Sequence, residues 1–178
     1  QPFWRLDVGS YVLFGVCSSL IAWPVNEPDA LPAELADWRA LRAAHLREVC
    51  AAFASLRPEQ RVLLFCHDPT ALPFLAEEEA VRARLGQIEQ TIIGHLHSPL
   101  LLWKSRLLAG MPVISFLGHS IRRFTRSLNA ARRWQPFHVR LCPSLAGIEL
   151  LNDGGYLELT LDESARQPAQ WKFQPLPR

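Results

Sequence analysis

Two stretches of the chain share one pattern: RVLLFCHDP at residues 61–69 and TIIGHLHSP at residues 91–99. In each, a short apolar run meets a histidine and a proline closes the segment. Residues 62–65 read as a buried strand running into a loop, and residues 90–93 as a second strand ending at Gly94. In open α/β sheets, ligands collect at the carboxyl ends of strands. Placed side by side, these two strands bring His67, His95 and His97 together there. Imidazole nitrogen binds divalent metals near neutral pH. Gly94 carries no side chain, so the backbone can come close to whatever is held.

The flanks fill in an α/β pattern. Residues 11–23 (YVLFGVCSSLIAW) are apolar and β-rich, as suits a strand buried on both faces. WPVNEPDALP then reads as a loop with three prolines. Leu35, Trp38, Leu41, Leu46, Val49 and Phe53 recur at helical spacing, predicting one long helix over residues 33–56. A second helix is expected over 77–85, with acids in its first turn, and a short one over 100–108. Residues 112–117 suit a strand. IRRFTRSLNAARRW suits a helix, with Ile121, Phe124 and Leu128 on one face. FHVRLCPS suits another strand. Near the end, Asn-Asp-Gly-Gly at 152–155 separates two apolar runs and predicts a hairpin over 147–161 with Ile148, Leu150, Leu157 and Leu159 facing the sheet. Helices alternating with buried strands indicate an α/β domain over residues 1–162. Residues 163–178 read as a Pro- and Gln-rich surface tail.

The bulk numbers narrow the function classes. The chain has 178 residues, 49% apolar and 20% charged, enough to bury a core. A net charge of +2 gives no indication of nucleic acid or an anionic membrane as partner. Cys17, Cys50, Cys66 and Cys142 are far apart, which argues against a disulfide framework and for a reducing, cytoplasmic compartment. No apolar run reaches the roughly 18 residues of a membrane span. The chain opens at Gln1 and enters a strand almost at once (Phe3, Trp4, Leu6), the pattern of a sequence entered midway.

Other residues admit local roles. His119 follows a strand end and could contact substrate, or Ser120 beside it could cap the next helix. Asp68 is placed to cap the turn after His67. Cys66 lies on the strand face opposite its neighbours and is expected in the core. The arginines at 122, 123, 126, 132 and 133 suit a solvated helix face. His45 and His138 read as structural.

GHLH at 94–97 resembles the G-H-x-H block of the calcineurin-like metallophosphoesterases. LLFCHDP at 63–69 is similar to the block that precedes it, and YVLFGVCSS to the strand opening the second half of that fold. The resemblance spans roughly Trp4 to Leu161. It implies the second half of a four-layer α/β/β/α sandwich and hydrolysis of a phosphoester substrate. It further implies two divalent ions (Mn, Fe, Zn or Co), with His67 and His95 on one and His97 on the other. The ions would clamp phosphate oxygens and lower the pKa of a bridging water. The family's D-x-H, G-D and G-N-H-D or G-N-H-E blocks are absent; Asp7 sits in LDVGS and Asn26 in VNEPD. The chain would therefore supply the histidine ligands of a parent enzyme's site. The alternative is a non-catalytic fragment or metal-binding domain without the carboxylate half.

Overall fold

The computed structural model describes residues 2–94, 99–114, 116, 118–143 and 154–176. The chain is α/β. A five-stranded sheet in the order β1-β2-β3-β4-β5 joins β1 (Phe3–Val8), β2 (Tyr11–Val16), β3 (Arg61–Cys66), β4 (Ile88–Ile93) and β5 (Val139–Leu141). Only β1 runs antiparallel, as a hairpin with β2; the other neighbours are parallel. Parallel strands need crossovers, and helices supply them.

The long helix is α3 (Leu35–Ala54), close to its expected bounds. Its second half carries the packing. Leu46, Val49 and Phe53 are buried against Val12 and Phe14 of β2 and Val62 and Leu64 of β3, while Leu41 is exposed. Burying one such side chain contributes about 1.5–3 kcal/mol. The strand expected over 11–23 stops at Val16. Two short helices follow, α1 (Ser18–Ile21) and α2 (Trp23–Asn26), so the segment WPVN is helical rather than loop. Pro24 falls in the first turn of α2, where a missing N–H costs nothing. Trp23 then stacks on Trp38 of α3, with ring centroids 4.8 Å apart.

Two short helices, α4 (Leu72–Leu75) and α5 (Glu79–Arg82), lie between β3 and β4. The helix expected over 77–85 is thus a single turn. Glu77 lies outside it and pairs with Arg133 at 2.6 Å. Next come α6 (Pro99–Leu107) and α7 (His119–Ala130), followed by a 3₁₀ segment, Ala131–Phe137, that buries Trp134 and Phe137. The strand expected over 112–117 is not formed at residues 112–114. The segment is pinned to α7 instead: Thr125 Oγ1 accepts from the Ile114 N–H, and Asn129 Nδ2 donates to the Met111 carbonyl.

A second sheet pairs β6 (Gly155–Thr160) with β7 (Gln170–Pro175). It packs on the face opposite α3, where Leu159, Leu161 and Trp171 meet buried Tyr11 and Leu63. Leu157 and Leu159 alternate with exposed neighbours, as expected. The other strand of the expected 147–161 hairpin and its turn lie outside the described residues. The Pro- and Gln-rich segment contributes β7. Its approach is shaped by Asp162, whose carboxylate accepts from the N–H groups of Ser164, Arg166 and Gln167, a turn device that Asp favours.

Candidate functional site

β2, β3, β4 and β5 all end on one edge, and an open cleft of about 560 Å³ runs along it. The cleft is lined by the ends of these strands and by Trp4 of β1, and among the described lining residues none is Asp, Glu, Lys or Arg. His67 leaves β3 here and is exposed. The Gly94 N–H donates to the His67 carbonyl at 3.0 Å, extending the β3–β4 pairing by one step. The imidazole lies over Gly94: a Cβ there would fall 2.6 Å from Nδ1. Glycine at 94 leaves the room that the histidine ring takes up. The next residues in sequence are His95, Leu96 and His97. Those two histidines lie outside the described residues, so their convergence with His67 does too.

His119 is the first residue of α7, with Gly118 at the N-cap position, so Ser120 lies inside the first turn rather than at the cap position. Asp68 caps as expected: its carboxylate accepts from the Thr70 N–H at 2.8 Å. Cys66 is buried to 1% exposure, its thiol donates to the Asp68 carbonyl, and burial pushes its pKa strongly up, which makes it a poor nucleophile. His45 is structural: Nε2 accepts from the Cys17 N–H at 3.1 Å, just past β2. His138 takes a left-handed conformation ahead of β5. Of the arginines, Arg122, Arg132 and Arg133 are exposed.

The His67 imidazole at this edge fits one part of a metal centre. The carboxylates do not follow. Asp7 lies at the opposite end of the sheet, where Arg5 hydrogen bonds hold its carboxyl below the usual range. Asp68 is engaged as a cap. Among the described residues no three His, Cys, Asp or Glu side chains gather in a group able to hold a metal.

One feature of the edge escaped the sequence argument. The Trp4 indole covers Gly15, where a Cβ would lie 1.8 Å from Nε1, and it meets Phe65 with centroids 5.4 Å apart. The signal was present: a glycine inside an apolar strand marks a close approach.

No family model, curated protein or solved structure matches the chain. Among the described residues, no helix is long and apolar enough to cross a membrane.

Proposed function

We propose that this chain carries the histidine half of a metal-dependent phosphoester hydrolase of the calcineurin-like kind, within a four-layer α/β/β/α sandwich and a cytoplasmic setting. The observation that carries the reading is the His67 imidazole seated on Gly94, the residue immediately before H-x-H, at the carboxyl edge of a parallel sheet. His67 and His95 would serve one divalent ion and His97 the other, with His119 toward the substrate. Bound metal would supply charge for the phosphate oxygens and acidify a water. The chain's own part is to present imidazoles from strand ends. Two cations about 3.5–4 Å apart repel strongly and call for a carboxylate between them. That carboxylate comes, in this proposal, from the D-x-H and G-N-H-D blocks of a parent enzyme.

Titrating Co²⁺ or Mn²⁺ into the purified chain tests this directly. The chain is expected to bind the ion, and His67→Ala to weaken binding at least about tenfold, the scale on which removing groups around a metal acts. The chain alone is expected to leave an aryl phosphate diester essentially unhydrolysed with Mn²⁺. A parent protein carrying the upstream blocks is expected to turn it over and to lose activity on His95→Ala or His97→Ala. Absence of metal binding, or indifference to His67→Ala, overturns the proposal. Chelator-sensitive turnover by the chain alone would show that its carboxylates lie within these 178 residues.

A further inference from the structure

The helical side of the sheet encloses a second space, remote in character from the histidine edge. A cavity of about 540 Å³ lies between α2, α4 and the end of α7 with its 3₁₀ extension. Small-molecule pockets typically span about 300–1,000 Å³. Val25, Pro73 and Phe74 give it apolar walls.

Three features set it apart from a packing gap. Arg132 lines it without a carboxylate or hydrogen-bond partner among the described residues. Its stem lies across Gly110, where φ is +84° and a Cβ would fall 1.9 Å from Nε, so the backbone there is shaped to receive the arginine. Trp134 also lines the cavity. It is 6% exposed, and its Nε1–H has no acceptor among the described residues. A buried donor without a partner is uncommon in folded proteins and calls for an explanation. The neighbouring Arg133 is neutralised by Glu77 at 2.6 Å, so Arg132 leaves the lining with one uncompensated positive charge.

We propose that this cavity binds a small aromatic monocarboxylate. The planar carboxylate matches the guanidinium fork of Arg132 in shape and charge. The ring fills the space against Phe74 and Trp134, where flat side chains favour stacking. A dianionic phosphate monoester would leave one negative charge unmatched. The assignment is independent of the hydrolase reading, because no residue of this cavity serves the histidine edge.

Calorimetric titration of the full chain with 2-naphthoate, 2-naphthylmethanol and 2-naphthyl phosphate tests it. Naphthoate is expected to bind at least tenfold more tightly than the neutral alcohol, and more tightly than the phosphate. Arg132→Gln should erase the preference for the acid over the alcohol. Phe74→Ala should weaken acid and alcohol alike and leave their ratio in place. Equal affinity for acid and alcohol on the unmodified chain overturns the proposal without reference to any variant. A tighter phosphate, or naphthoate that fails to bind at about millimolar concentration, overturns it as well.

Discussion

At the end of the sheet where β2, β3 and β4 begin, Glu89 accepts from Tyr11 Oη at 3.2 Å, Arg61 at 2.9 Å and the Ala169 N–H. Asp7 and Arg5 are paired bidentately nearby, and Gln87 donates to the carbonyls of Arg57 and Gln60. At the other end, where the same strands finish, the described residues of the cleft lining include no carboxylate, lysine or arginine; their polar groups are the imidazole of His67 and the thiols of Cys17, Cys66 and Cys142. The first end is closed by charge pairs and ties the second sheet to the first through Tyr11 and Glu89. The second is open, and none of the described residues lining it is Asp, Glu, Lys or Arg. A charged group near an apolar surface needs a partner or water.

The strongest way to break this contrast is Glu89→Ala. It strands Arg61 and the Ala169 N–H together and leaves Tyr11 Oη with only the Gln167 carbonyl, to which it donates at 3.0 Å. Hydrogen bonds to charged groups are worth about 1.5–3 kcal/mol each, so a loss of about 2–3 kcal/mol is expected in urea unfolding. A loss below about 1 kcal/mol would mean that the opening end is not held by its charges.

A smaller effect is expected at the finishing end from Gly15→Ala. The new methyl collides with the Trp4 indole. Forcing extra bulk into a packed site costs about 1–3 kcal/mol. Trp4 is already 45% exposed and can move aside, so the lower part of that range is expected. The accompanying signature is a red shift of tryptophan emission. Full stability with unshifted emission would show that Trp4 does not rest on this strand.

His45 sharpens the comparison through pH. Burial lowers its pKa, with nearby Glu48 opposing the shift, and its Nδ1 has no partner among the described residues. The folded state therefore takes up its proton at lower pH than the unfolded chain, whose histidines titrate near about 6.5. The stabilisation is complete above that value and is lost as pH falls below it, toward the folded pKa. Protonation also removes the acceptor for the Cys17 N–H. Urea midpoints should fall between pH 7.5 and pH 5, and His45→Gln should flatten that part of the profile. An unchanged slope in the variant would assign the dependence to another group.

The smallest effect is chemical and leaves stability untouched. Cys66 is buried with its pKa raised, and Cys50 is pushed up to about 11 by burial and the neighbouring Glu78 carboxylate. Thiol alkylation of the native chain at neutral pH should mark Cys17, in the cleft, before either of them. Preferential labelling of Cys66 would mean that the core at this edge opens.

Local pattern makes several elements legible from sequence. Apolar runs at 62–65 and 90–93, helical spacing from Leu35 to Phe53, and alternation in β6 each name an element, because burial demands one side-chain period per element. His67 at a strand end and Asp68 as a cap were readable for the same local reason. Other features were not. Residues 112–114 have strand propensity, yet Thr125 and Asn129 capture their backbone groups from a distant helix. WPVN looks like a loop, yet stacking of Trp23 on Trp38 favours a helical turn. Propensity is a weak term that packing overrides.

The sequence by itself determined the α/β class, the long helix, and the histidines that follow two parallel strands. Tertiary structure alone decided that the ring of His67 lies on Gly94, that Trp4 covers Gly15, and that Glu89 joins Tyr11, Arg61 and Ala169. The physical reason is range. Side-chain period and capping act over a few residues and leave a trace in the local sequence. The contacts that shape the two ends of the sheet join residues up to 156 positions apart, and they exist only once the strands lie side by side.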